Sequence, residues 1–270
     1  MHILVTNDDG VMAPGLLALA QAMQSFGQVS VVAPDHNWSI SGHVKTLNRP
    51  LRVVEATLAD GTPALASDGA PSDCVALAVL GLLPEPIDFV VSGINPVPNL
   101  GHDLTYSGTV TAAMEAAIWG LPAVAFSLDG PEGEHMSEID YSPAARVAAE
   151  VVSLALKHGI ASQTLLSVNI PYRPYEQLHG FQVTRQGLRI YRDALIKRTD
   201  PRGKPYYWIG GDAPTGVPEE GTDIGALQAG LVSITPVQLD LTAHQLVADI
   251  AAWEWSLAEA PAAPGKDGSA

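Results

Sequence analysis

MHILVTNDDGVMAPGLLALAQAMQSFGQVSVVAPD, residues 1–35, reads as strand, loop, helix and second strand. Residues 3–6 are a short apolar run of the kind a sheet buries on both faces. Residues 14–26 carry apolar side chains at helical spacing behind Pro14, and Gly27 stops them. Residues 29–33 give the next strand. A strand that reaches its neighbour through a helix is the βαβ unit, and it produces parallel pairing.

The alternation continues outward from this unit. Helical patterns cover 73–83, 107–119 (closed by Gly120) and 144–158 (before Gly159), and strand patterns cover 89–92, 123–127 and 165–169. The expected fold class is α/β, a Rossmann-like, three-layer, doubly wound and mostly parallel sheet with a C-terminal hairpin and helix appendage. Pro171 and Pro174 break the pattern. From 181 to about 211 the chain is aromatic, basic and turn-rich, as in long β-hairpins. Residues 231–234 return to the sheet and 244–257 form a helix. The expected organisation is a core over 1–180, an appendage over 181–258 and a disordered tail over 259–270, ending in PAAPGKDGSA.

Composition narrows the function. Hydrophobic residues make up 47% of 270 residues, enough for a large core. A net charge of −15 repels polyanions, so a nucleic-acid duplex is excluded as a partner, while a small phosphorylated substrate is not. The single cysteine, Cys74, can form no intrachain disulfide, which fits the cytoplasm. We expect no signal peptide, because a strand begins at once. The longest apolar run, 74–83, is about half of what a membrane helix needs, so no membrane partner is expected.

Ligands of an open α/β sheet bind beyond the carboxyl ends of its strands. Four polar loops fall there. In Asn7-Asp8-Asp9-Gly10, two adjacent carboxylates repel unless a cation sits beside them, and a hard divalent cation with oxygen ligands answers that need. A single Asp would be explained by helix capping; a pair is not. The loop 34–42, PDHNWSISG, has the composition of a plain turn, with Trp38 as its anchor or as a lid over a planar ring. In Ser92-Gly93-Ile94-Asn95, Asn95 stands at the level of Asp8 and offers an amide oxygen, either to a cation or to a turn. Tyr106-Ser107-Gly108-Thr109 opens a helix and either caps it or takes a phosphate on its free N–H groups. A carboxylate metal site beside a helix-terminus phosphate site points to metal-assisted hydrolysis of a phosphate ester.

Other chemistries lack their motifs. There is no GxxxxGK[ST] loop, no GxGxxG after strand one, no HExxH and no GxSxG, and the DxD spacing of aspartate-nucleophile phosphatases is missing. A serine hydrolase built on Ser107 with His43 or His102 is therefore disfavoured. A non-catalytic nucleotide- or metabolite-binding regulator on the same fold is the remaining alternative.

The segments ILVTNDDG with APG, VVAPD followed by Ser39 and GH, GAPSDCV at 69–75, SGIN at 92–95 and YSGTVTAAMEAAIWGLPA at 106–123 occur in order. Over about residues 1–130 this set resembles the SurE family. The resemblance implies a Rossmann-like fold and phosphomonoesterase action on nucleoside 5′- and 3′-monophosphates. It implies one divalent metal ion, Mg²⁺ or Mn²⁺, held by Asp8, Asp9, Ser39 and Asn95, with Asp8 and Asp9 catalytic. It places Asn99, Ser107, Gly108 and Thr109 beside the phosphate. It also implies a homodimer or homotetramer built through the C-terminal appendage, where Tyr206-Tyr207-Trp208 would serve as an assembly contact. The family's glycine-containing stretch after SGIN is replaced here by Pro96-Val97-Pro98, and Trp38 stands where a polar or basic residue is common. The nucleophile is either a metal-bound water or a water activated by another group.

Overall fold

The computed structural model describes residues 1–131, 133, 135–253 and 255. β1 (His2–Thr6) is wholly buried, α1 (Pro14–Met23) runs into a 3-10 turn ending at Phe26, and β2 (Gln28–Pro34) lies parallel to β1. β3 (Val53–Thr57) and β4 (Pro63–Ser67) follow as an antiparallel pair, with β4 parallel to β2. Then come α2 (Pro71–Leu77), β5 (Phe89–Asn95), α3 (Gly108–Ile118), β6 (Ala123–Asp129), α4 (Ser142–His158) and β7 (Thr164–Pro171). The last elements are β8 (Phe181–Val183), β9 (Arg189–Thr199), β10 (Pro205–Gly216), α5 (Asp223–Gln228), β11 (Val232–Gln238) and α6 (His244–Ala251).

Among the described residues the main sheet runs β3-β4-β2-β1-β5-β6-β7-β11-β8. Its centre is parallel; β3 and β11 run against their neighbours β4 and β7. The doubly wound α/β architecture is the one the alternation predicts. Successive residues of β1 enter opposite layers, because side chains alternate across a strand. Ile3 and Val5 pack with Leu16 and Leu19 of α1 and Val147 and Val151 of α4, whereas Leu4 packs with Val75 of α2 and Val110 of α3. α3 buries Ala112, Ala113, Ala116 and Ala117. Side chains this small let the helix lie close on the sheet.

The winding positions the site. From β1 the chain moves to β2 on one side, and later returns to β5 on the other. The strand order reverses between β1 and β5, and the carboxyl ends of strands at such a reversal are where open α/β sheets bind their ligands. Thr6 pairs with Ser92, so the loop after β1 stands beside the end of β5.

β9 and β10 form a separate two-stranded hairpin rather than extending the sheet. Its turn closes on Asp200, whose Oδ1 accepts the Arg202 and Lys204 N–H groups at 2.8 Å each. At its base Arg189 Nε and Tyr191 OH donate to the two oxygens of Asp103, at 2.7 and 2.6 Å. The buried Asp223 carboxylate accepts the N–H groups of Gly101 and Gly187, at 2.8 and 2.7 Å, and draws those two loops together. A Cβ on Gly101 would lie 2.4 Å from the Gly187 carbonyl oxygen, so only glycine allows this approach.

The chain divides into Met1–Leu239 and a second unit from Asp240. In the second unit α6 ends at Ala251, short of the expected 257, and Leu246, Val247 and Ile250 on it are exposed. Residues 254 and 256–257 of the expected helix, and the expected tail at 259–270, lie outside the described residues. Among the described residues no helix is long and apolar enough to cross a membrane.

Candidate active site

The turn after β1 is closed by Asn7, whose Nδ2 donates to the Gly10 carbonyl at 3.0 Å while its Oδ1 accepts the Gly10 N–H at 3.2 Å. Gly10 takes φ +103°, a conformation side chains rarely adopt. This tight turn points Asp8 and Asp9 out beyond the strand end.

Asp8 is buried against the first turn of α3. Thr109 Oγ1 donates to its Oδ1 in a very short hydrogen bond. Burial pushes the Asp8 carboxyl up, and this prevails over the Thr109 hydroxyl and the Gly108 and Thr109 backbone groups, which act the other way. Asp9 is pushed up to about 7, first by burial and then by the charge of Asp8. Among the described residues no Lys, Arg or His pairs with either carboxylate. Among the described residues the repulsion expected from sequence is met by hydrogen bonds from Thr109 Oγ1 to Asp8 and from Asn37 Nδ2 to Asp9, the latter at 3.5 Å, and by no cationic side chain.

Gly108 is required at the head of α3. A Cβ there would lie 2.6 Å from Asp8 Cβ, 2.9 Å from Asp8 Oδ2 and 3.1 Å from Ser41 Oγ. Ser107 caps the helix by accepting the Val110 N–H at 3.1 Å. Asp8, Gly108 and Thr109 therefore meet at one point, with Ser107 adjoining.

Asn95 ends β5, and its Nδ2 donates to the Val97 carbonyl at 2.5 Å, leaving the amide oxygen free to coordinate. Val97 thus orients Asn95 within the Pro96-Val97-Pro98 turn. Asn99 sits deeper. Its Nδ2 donates to Ser127 Oγ at 2.7 Å, and its backbone exchanges hydrogen bonds with the Asn169 amide at 2.8 and 2.9 Å. Its donors serve the clamp between this loop and β6 and β7, and the carbonyl oxygen of its side chain remains. Ser39 is exposed on the loop after β2, where its N–H donates to Asn37 Oδ1 at 2.7 Å. The same loop reaches the carboxylates through Trp38, whose N–H donates to the Asp8 carbonyl at 2.7 Å.

Three further residues belong to this neighbourhood and were not singled out from sequence as site residues. Ser41 Oγ lies beside Gly108, as given above. Tyr141, just before α4, is buried close enough to Asp9 that burial first and then the Asp9 charge raise its phenol. Glu115 of α3 is buried, with Oε2 accepting His43 Nε2 at 2.9 Å and Oε1 accepting Lys45 Nζ and Trp119 Nε1 at 2.9 Å each. Burial alone would raise its carboxyl, but the three donors outweigh burial and hold it at about 2. In the sequence, His43 falls in the GH pair at 42–43 and Glu115 and Trp119 in the run 106–123, but nothing there links the two segments.

The donor set can be tested against a divalent cation. Among the described residues no three His, Cys, Asp or Glu side chains cluster to hold a metal. The site offers two carboxylates, and the Asn95 amide and a serine hydroxyl would have to complete it. That is an all-oxygen set with two negative charges, suited to Mg²⁺ or Mn²⁺. Thr6 Oγ1 and Ser92 Oγ, paired across β1 and β5, are buried just below this level with no hydrogen-bond partner among the described residues. Unmet polar demand therefore concentrates at the carboxyl ends of these two strands, and the residues fit a hard cation.

An open α/β sheet with paired carboxylates and a helix N-terminus at its switch point defines a protein that handles small anionic ligands at that edge. Residues 3–193 match the family model of survival protein SurE. The 5′-nucleotidase SurE of Chloroflexus aggregans is 51% identical over 255 residues, covering 94% of this chain and 100% of that protein. The 5′-nucleotidase SurE of Herpetosiphon aurantiacus is 53% identical over 243 residues, covering 90% and 94%. The crystal structure of the SurE protein from Aquifex aeolicus superposes with a TM-score of 0.77 at 43% identity, covering 93% of this chain and 98% of that one. The chain belongs to the SurE family.

Proposed function

We propose that this chain is a phosphomonoesterase that hydrolyses nucleoside 5′- and 3′-monophosphates to nucleoside and phosphate. The observation that carries this reading is the Asp8–Asp9 pair, Asp8 buried against the head of α3 and Asp9 half-buried beside it, with no cationic side chain paired to either among the described residues. Asp8, Asp9, Asn95 and Ser39 would hold one Mg²⁺ or Mn²⁺. Bound there, the ion supplies a Lewis acid for a phosphoryl oxygen and lowers the pKa of water. Thr109 fixes the orientation of Asp8, and Val97 that of Asn95. The missing side chain at Gly108 lets Asp8 and Ser41 close on the N-terminal end of α3, where the helix dipole favours the negative charge of a phosphate. Ser107 caps that end at the Val110 N–H, and Asn99, whose Nδ2 donates to Ser127 Oγ, would have to turn that amide toward a phosphate to bind it.

The chain works in the cytoplasm in this reading, consistent with its one buried thiol, Cys74. It assembles as a homodimer or homotetramer through its C-terminal part. Leu195, Ile196, Tyr207, Trp208 and Ile209 are exposed on the hairpin, an apolar surface that association would cover.

The test is phosphate release from AMP, GMP and p-nitrophenyl phosphate, with EDTA and with added Mn²⁺ or Mg²⁺. Release that requires metal and collapses in Asp9→Asn is expected. No release with any metal, from folded protein, would overturn the enzyme reading.

A further inference from the structure

Residues 38–46 have almost no hydrogen-bonded regular structure of their own. They are held in place from outside. Trp38 N–H donates to the Asp8 carbonyl at 2.7 Å and Gly42 N–H to the Tyr106 carbonyl at 2.9 Å. Thr111 Oγ1 donates to the Gly42 carbonyl at 3.1 Å. Ser72 Oγ binds the Val44 carbonyl, and Thr46 donates to both oxygens of Asp73 from its N–H and its hydroxyl. The strongest of these ties is ionic. Glu115, 3% exposed within α3, takes His43 and Lys45 from the loop, at 2.9 Å each.

The asymmetry of this cluster carries the argument. The buried charge belongs to the helix, whereas two of its three donors belong to the loop. Trp119, on the same helical stretch, supplies only one bond. If the loop lifted, Glu115 would exchange two of its three donors, both from the loop, for water. The loop is therefore latched to the helix whose N-terminus makes the anion site. Ser39 and Ser41 lie between the ties at Trp38 and at Gly42 and His43. Ser41 Oγ is thereby set 3.1 Å from where a Cβ on Gly108 would be.

We propose that Glu115 is a positioning residue of the active site: by latching His43 and Lys45 to α3 it fixes the loop that carries Ser39 and that sets Ser41 beside Asp8. The proposal rests on the metal-dependent reading given above, and it assigns Glu115 no contact with substrate or metal. Groups that orient metal ligands commonly affect affinity by about tenfold or more.

The experiment is Mn²⁺ titration of the full chain without substrate, followed by the EPR signal of the free ion. The proteins are wild type, Glu115→Gln, Ser39→Ala and the double variant, with circular dichroism to verify folding. Glu115→Gln is expected to weaken Mn²⁺ by about tenfold, and to add less than about twofold once Ser39 is already alanine. Unchanged Mn²⁺ affinity in Glu115→Gln, or the same loss in both backgrounds, would overturn the positioning role while leaving the metal reading intact. Absence of Mn²⁺ binding by wild type would overturn the metal reading, and this proposal with it. If Glu115→Gln does not fold, His43→Gln on the partly exposed loop side carries the same comparison.

Discussion

In metal-free solution Asp9→Asn is expected to stabilise the fold at about pH 8 and to leave it nearly unchanged at about pH 4. The Asp9 carboxyl is raised from 3.8 to about 7 by burial and by the neighbouring Asp8 charge. A raised acid contributes its stability below the unfolded value of 3.8 and loses it as pH climbs through 7. Across that window the unfolded chain has released the proton while the folded chain still holds it. The shift spans roughly 3 units at about 1.4 kcal/mol each, an upper limit of about 4 kcal/mol. Asp9 is only half-buried, so solvent screening reduces this to about 1–3 kcal/mol. Asparagine has nearly the same shape and no charge, so above pH 7 it relieves that amount. For a chain of this size the melting temperature should rise by roughly 2–10 °C. The assay is thermal or urea unfolding of both proteins in EDTA across the pH range. With excess Mn²⁺ the proposed metal site predicts the reverse order, because only the wild type would offer both carboxylates to the ion. A variant less stable than wild type at pH 8 in EDTA, or a difference that ignores pH, would refute the account of a carboxylate pair without a cationic side chain.

Two further outcomes follow from the geometry. Gly108→Ala places a Cβ 2.6 Å from Asp8 Cβ, so Asp8 or the helix must shift; phosphate release should fall by about 100-fold or more while circular dichroism stays near wild type. Replacing Trp208 and Ile209 with lysine on the exposed hairpin should lower the mass found by light scattering, and an unchanged mass would move the assembly surface elsewhere.

The sequence made the central sheet legible because β1, β5 and β6 are nearly continuous apolar runs, and α1, α3 and α4 end at glycines or close to them. β3 and β4 escaped notice. β3 reads VVEAT, β-branched but half-exposed at the sheet edge and without clean alternation, and β4 reads PALAS, with no β-branched residue. β8 has 3 residues and α5 has 6, fewer than two full periods of a strand or a helix, so no repeat marks them. The Asp8–Asp9 pair was readable because its chemistry is local. Ser39 was readable only through the family resemblance, since its loop has ordinary turn composition. Glu115 was not readable at all: its partners His43 and Lys45 are 72 and 70 residues away, and a lone Glu on a helix gives no sign of being buried.

The Asp223 carboxylate holds the N–H of Gly101 across 122 residues. A ribosome delivering this chain from its N-terminus exposes the Asp8 loop, the SGIN turn and the head of α3 long before Asp223 emerges. Until then the loop leading into the head of α3 lacks its distant anchor. A nascent chain therefore presents Asp8, Asn95 and Thr109 first and gains this anchor only once residue 223 has emerged.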